Sequence, residues 1–295
     1  MTQLPLCLRW REGRSTLIGP RHFDPARHGV EVIPESAARP FVERHHYSGS
    51  YPAARLAVGL FRVGVSRSGL LQRGLLVGVA VLSVPMQQRV IPSRLGVSPS
   101  EGVEIGRFVL LDDPEEGPNA ESWFGPRVLE IVPRELPGVR GVLSYSDPVQ
   151  RRTASGEVVM PGHLGIIYQA LNAVHVGRSS PRTLILDSAG RVLSERMLTK
   201  LRRGEQGRDY AERQLVACGA PRRQRGEEGA AYVRRALAEC PFRRVRHPGN
   251  LCYCWGVGTP GQRRQLRRHL GSGLPYPKGE AIITTEPSEG HHAET

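Results

Sequence analysis

The stretch Gly141–Gly177, GVLSYSDPVQRRTASGEVVMPGHLGIIYQALNAVHVG, constrains the fold more than any other part of the chain. It joins an apolar run from Val139 to Leu143, long enough for one buried strand. The run stops on three polar residues, Ser144, Tyr145 and Asp147. A loop rich in Gly, Ser and Pro follows. The pattern then predicts an amphipathic helix from about His163 to Ala173 and a short strand ending at Gly177. Polar groups at the carboxyl end of a buried strand, facing a helix N-terminus, are where α/β proteins place ligands. Two other stretches carry similar weight, RHHYSGSYP around Tyr47 and VEIGRFVLLDD around Arg107. All three are expected to meet at one site.

The remaining segments supply a sheet for this stretch to join. A strand is expected over 4–10 and a helix over 35–46, ended by Gly49, Ser50 and Pro52. Residues 55–63 and 75–82 read as a hairpin, 84–102 as a loop, and 103–111 as a third strand. A helix over 120–136 carries Pro126 and Pro133. The order implies an α/β (α+β) fold, a mixed central sheet with helices on both faces. Strands 103–111 and 139–145 are joined by a right-handed crossover. Further on, 182–187 and 191–194 read as a hairpin, 195–240 as short basic helices split by Gly204, Gly207, Gly219 and Pro221, 250–256 as a strand, and 261–270 as a basic helix. The last 25 residues are polar, with Pro and Gly, and are expected to be disordered.

Charge marks the same division. Residues 191–270 hold 19 Lys and Arg against 7 Asp and Glu, whereas the rest of the chain holds 22 against 21. A basic appendage beside a neutral body suggests a polyanion partner, and genome-wide arginine bias would not segregate the surplus. The expected division is an N-terminal segment 1–34, a catalytic core 35–190, a basic DNA-contacting extension 191–270 and a tail 271–295. No run approaches the roughly 18 apolar residues of a membrane span, and MTQLPLCLRWREGR is too short an apolar run for a secretory signal. A soluble cytoplasmic protein is expected. The five cysteines, Cys7, Cys218, Cys240, Cys252 and Cys254, fit no common zinc spacing and read as buried free thiols.

Several motifs carry a resemblance. IYQALNAVHVG (167–177) is similar to a helix–turn–strand block of the GNAT acyltransferase fold. HYSGS (46–50), NAES (119–122), SYSD (144–147) and GHLGIIYQA (162–170), with RRVRHPGNLCYCW (243–255), together resemble the Mom family of phage DNA-modification proteins, which carry a GNAT-like fold. The resemblance covers roughly 35–256. It implies a transferase that converts adenine in double-stranded DNA to an N6-carbamoylmethyl derivative and so protects phage DNA from restriction inside a bacterial host. It also associates iron with the family. Acetyl-CoA is disfavoured as a cofactor, because the place of the pyrophosphate loop holds Asp112, Asp113, Pro114, Glu115 and Glu116, whose carboxylates repel a diphosphate. Two other functions stay open: an acyl-CoA-dependent N-acyltransferase acting on a small amine, and a non-catalytic DNA-binding protein.

Particular residues follow from the motifs and the resemblance. His46 and Tyr47 leave a helix at a Gly-Ser turn, where they can bind a metal, polarise a substrate or stack on a flipped base. The plain alternative is a helix C-terminus with an exposed His. Tyr145 and Asp147 alternate from a strand end and so face one way. Asp147 is the candidate base near adenine N6 or a metal ligand with His46, unless Ser146-Asp147-Pro148 is merely a turn. Tyr168 is a candidate general acid or a core aromatic. His163 and Gly165 at a helix N-terminus suit an anion. Ser48 joins them as a candidate substrate-binding residue. Glu104 and Arg107 fall on opposite faces by strand parity, and because a buried charge needs a partner at least one should line the site. Arg202, Arg203, Arg243, Arg244 and Arg246 are the candidate DNA contacts.

Overall fold

The chain adopts the mixed α/β architecture that its sequence implies. A computed structural model describes residues 23–65, 71–111, 119–278 and 283–284. In chain order these form β1 (His28–Val32), α1 (Glu35–His45), β2 (Ala54–Val65), β3 (Leu71–Ser83), α2 (Val90–Leu95), β4 (Gly102–Leu110), α3 (Ala120–Glu135), β5 (Gly141–Ser146), β6 (Val149–Arg152) and β7 (Val158–Met160). They continue with α4 (Ile166–Ala170), β8 (Val174–Arg178), β9 (Arg182–Leu186), α5 (Glu195–Arg203), α6 (Arg208–Ala217), α7 (Gly229–Glu239), β10 (Arg243–His247), β11 (Leu251–Gly256), α8 (Pro260–Leu270) and β12 (Ile283–Thr284). The expected strand 4–10 and the acidic loop 112–118 lie outside the described residues. Among the described residues no helix is long and apolar enough to cross a membrane.

One compact unit comprises the described parts of Met1–Pro148, Gly162–Ser179 and Asn250–Ala281. Its seven-stranded sheet runs β1-β2-β3-β4-β5-β11-β8. Every neighbouring pair is antiparallel except β4 and β5, which run parallel from Gly102 opposite Gly141 to Ile105 opposite Ser144. Alternation along the strands sets the two faces. Val79, Val81 and Val109 pack beneath α1, with Ala38 and Val42. Leu143, Cys252 and Cys254 pack beneath α2 and α8, with Ile91, Leu95 and Leu266. The register places Val81 and Leu143 on the same face, so these three helices share it. The opposite face meets α3, where the Phe108 and Phe124 rings lie 5.4 Å apart. α2 falls inside the stretch read as a loop, its helical character carried by the fully buried Ile91 and Leu95. Helix α3 runs unbroken through Pro126 and Pro133.

β11 was assigned by sequence to the basic extension, yet it lies inside this sheet, between β5 and β8. An apolar strand, LCYCW, is buried on both faces, so its place is a sheet interior rather than a solvated appendage. The tail also departs from expectation where it is described. The Leu274 N–H donates to His175 O (2.8 Å), the Tyr276 hydroxyl donates to Ala173 O (2.6 Å), and β12 pairs with β6.

The second unit comprises Val149–Pro161, Ser180–Gly249 and the described part of Ile282–Thr295. Helices α5, α6 and α7 enclose Leu198, Leu201, Leu215, Tyr232, Val233 and Ala236. The buried Tyr232 satisfies its hydroxyl on Pro221 O at 2.9 Å. β9 was expected to pair with 191–194, but that contact is a single bridge from Leu186 to Val192. Its ladder partner is β10, from Arg243 opposite Leu186 to His247 opposite Arg182. Leu184, Leu186 and Val245 form an apolar cluster with Val149, and this long-range burial outweighs the local turn.

Candidate active site

The site begins with the parting of the two parallel strands. Beyond Ile105 and Ser144 the β4–β5 pairing stops, while β4 continues against β3 to Leu110. A bulge marks the same place: Leu82 faces Ile105 and Val81 faces Arg107, so Gly106 is the extra residue. A Cβ on Gly106 would sit 2.4 Å from Ser83 Oγ, which favours glycine there. The extra residue resets the alternation. Glu104 and Arg107 therefore do not diverge to opposite faces, and both line one cavity of about 200 Å³. His46, Tyr47, Tyr145, His163 and Tyr168 line it too, as do Glu121, Ile167 and Asn250.

The HYSGS loop is held over this cavity by Arg107. Its Nε donates to Ser50 O at 2.9 Å and its Nη2 to Ser50 Oγ at 2.8 Å. Inside the loop, the Ser48 N–H donates to His46 Nδ1 at 3.2 Å, and Ser48 Oγ lies 2.8 Å from the same nitrogen. An Nδ1 that accepts puts the ring proton on Nε2. Burial, with Arg107 and His163 nearby, holds His46 well below its usual range, so the ring is neutral at pH 7. Ser48 thus fixes the tautomer of His46 and is not among the cavity-lining residues. The His46 and Tyr47 ring centroids are 4.2 Å apart.

The carboxyl and phenol groups are tuned by burial. Desolvation raises Glu104 to about 7, against the opposing pull of Arg107. Burial keeps Tyr168 protonated, with its ring 5.4 Å from Tyr253 and 5.5 Å from Trp255. Tyr168 is therefore both a core aromatic and a cavity wall. Burial and the neighbouring Cys252 likewise keep Tyr145 protonated. His163 is brought down to about 4 by desolvation, which outweighs the opposing field of Asp147.

Asp147 is placed differently from its sequence expectation. β5 ends at Ser146, so the alternation that aligned Asp147 with Tyr145 stops one residue early. Asp147 is buried, its backbone carbonyl accepts the His163 N–H at 2.7 Å, and it is not among the cavity-lining residues. Gly165 is not among them either. The expected helix from His163 to Ala173 is a single turn, α4, too short to present an anion site at its N-terminus. Gly165 holds φ +67° at its start, and a Cβ there would lie 2.7 Å from the Tyr253 ring and 2.8 Å from the Tyr168 ring. Replacing Gly165 by Ala is expected to cost at least about 1–2 kcal/mol from the left-handed backbone alone, and to displace Tyr168. Thermal unfolding checks the first effect and modification activity the second.

Two cavity residues with polar side chains went unrecognised in the sequence. Glu121 stands in NAES, where only Ser122 drew attention as a helix starter. Asn250 precedes β11 and is fixed by a reciprocal pair: its N–H donates to Ser179 Oγ (2.9 Å) and its carbonyl accepts the Ser179 N–H (2.8 Å). The signal for it was the PGN turn ahead of an apolar strand. Iron finds no ready donor set here. Among the described residues no three His, Cys, Asp or Glu side chains are gathered as metal ligands, and Nδ1 of His46 is occupied by Ser48. Cys252 and Cys254 are buried free thiols, and Cys218 and Cys240 are half-buried free thiols of the second unit's core.

A mixed sheet whose one parallel pair parts over a cleft of neutral histidines, protonated tyrosines and a raised carboxyl defines an α/β protein with a site suited to proton transfer. The Mom protein family model matches residues 27–227, more than half of the chain, and the chain belongs to that family. Membership implies a DNA-modifying enzyme that acts on adenine. No curated protein matches the chain.

Proposed function

We propose that this chain transfers a carbamoylmethyl group to N6 of adenine in duplex DNA. The observation that carries this reading is the convergence of residues from HYSGS, NAES, SYSD, GHLGIIYQA and the strand VEIGRF on one cavity. N6 is engaged in a base pair, so the adenine is extruded to reach a walled pocket. Tyr47 stacks on the extruded base. Asn250 reads its edge, since a carboxamide offers one donor and one acceptor in the plane that adenine matches.

In the transfer, N6 attacks the methylene carbon of an electrophilic carbamoylmethyl donor. The new N6–C bond forms as the donor's bond to its leaving group breaks, and the electron pair departs with that group. The N6 proton passes to the Glu104 carboxylate, whose affinity for it lies near neutrality. Tyr168 and Tyr145, kept protonated, donate hydrogen bonds to the donor's polar atoms. Asp147 supports His163 from behind the cavity wall. DNA from cells expressing the chain is expected to resist restriction endonucleases whose sites contain adenine. Complete digestion of that DNA, with the protein abundant and folded, would contradict the proposal.

A further inference from the structure

We propose that α8 is the phosphate-holding element of the cavity-bearing unit, and that what it holds is the backbone of duplex DNA. The proposal rests on the reading that DNA is the substrate, and adds where the duplex is gripped. α8, PGQRRQLRRHL, contains no acidic residue. Arg263, Arg264, Arg267 and Arg268 are all exposed, and none forms an ion pair among the described residues. Arg263 with Arg267, and Arg264 with Arg268, are like-charge neighbours one turn apart, an arrangement that weakens a helix by itself. A bound polyanion would relieve that repulsion.

Of the arginines that charge alone singled out, Arg244 and Arg246 are exposed on β10, whereas the other three have partners within the second unit. Arg202 pairs with Glu195 at 2.6 Å and Arg203 lies 4.0 Å from Glu205. Arg196 pairs with Glu205 at 2.9 Å and Arg235 with Glu227 at 2.8 Å. Much of the basic surplus of α5 and α7 is thus answered within the second unit. Arg243 donates to Arg152 O. The surplus on α8 is answered by no ion pair among the described residues.

α8 is also built to be held still. Thr259 and Gln262 form a reciprocal cap, Pro260 starts the helix, and Leu266 is buried against Leu143 and Cys252. Tyr145, a wall of the cavity, packs against that same cluster. The strip from Arg263 to Arg268 rises about 7.5 Å, a length over which a duplex presents roughly four backbone charges. Counted over both strands, the phosphates along that length equal the four arginines in number, and those arginines lie on the body that carries the reacting cavity.

The test uses the full chain and a labelled duplex, with binding followed by fluorescence anisotropy across a potassium chloride series. The variant R263Q/R264Q/R267Q/R268Q is expected to lower the slope of log affinity against log salt by about 3 to 4, at about 0.9 per phosphate. Replacing the same four by Lys should keep the slope, and R202Q/R203Q should leave it at the parental value. Circular dichroism melts establish that each variant is folded. A parental slope in the folded Gln variant would overturn the proposal alone. A parent chain without affinity for duplex DNA, or one that prefers single-stranded RNA of the same length, would overturn it together with the reading it rests on.

Discussion

Replacing Glu104 by Gln is expected to lower adenine modification by roughly 10²–10⁴-fold, the usual contribution of a positioned general base. Glutamine keeps the volume and the hydrogen-bonding reach but accepts no proton. DNA affinity should be unchanged, because Glu104 sits on a strand inside the cleft and is not among the arginines of α8. The parent's rate should rise about tenfold per pH unit below about 7 and level above it, as the carboxyl, raised mainly by desolvation, ionises. Stability should run the other way. The folded chain binds this proton more tightly than the unfolded chain, whose carboxyl titrates near 4.5. The contribution is thus complete below about 4.5 and is lost as pH rises through about 7. The Gln variant should lack that pH-dependent loss, so thermal melts from pH 4 to pH 8 and single-turnover rates over the same range examine one carboxyl in two ways. A variant that retains parental activity would remove Glu104 from the chemistry.

Replacing Tyr47 by Ala is expected to weaken engagement of the target base by about 1–3 kcal/mol, the range for loss of one base–aromatic stack. Tyr47→Phe should keep most of that contribution. The ring is held in place from two sides: it lies 4.2 Å from His46, and its loop is tied to β4 by Arg107. Duplexes carrying 2-aminopurine at the target adenine report the event. Unstacking from the neighbouring bases raises fluorescence, and stacking on Tyr47 quenches it, so Tyr47→Ala should give a brighter complex than Tyr47→Phe. Identical emission from the two at saturation would place the base elsewhere.

Much of the site was legible in the sequence because its parts are local. HYSG announces a helix end with two aromatic rings at a turn, and SYSD announces a polar strand end. Glu104 and Arg107 were visible as charges within an apolar run, but their shared face was not. That depends on a bulge at Gly106, and the bulge depends on the approach of Ser83 from the neighbouring strand. Local pattern also overextended Tyr145 to Asp147, because the last paired residue of a strand is set by its partner, here Leu251 opposite Ser146. β11 was visible as a strand but not as a member of the main sheet, since its neighbours lie far away in the chain, as with Tyr253 opposite His175 and Ser144. The charge surplus was legible in sum, whereas its distribution between answered and unanswered arginines required the positions of Glu195, Glu205 and Glu227.

The most direct measurement is the mass of the deoxyadenosine released from DNA of cells that express the chain, with Glu104→Gln expressed at the same level beside it. The parent should yield a fraction of deoxyadenosine heavier by one carbamoylmethyl group, and the variant should yield almost none. An unaltered nucleoside profile from the folded parent, or a deoxyadenosine bearing a different group, would contradict the proposed transfer.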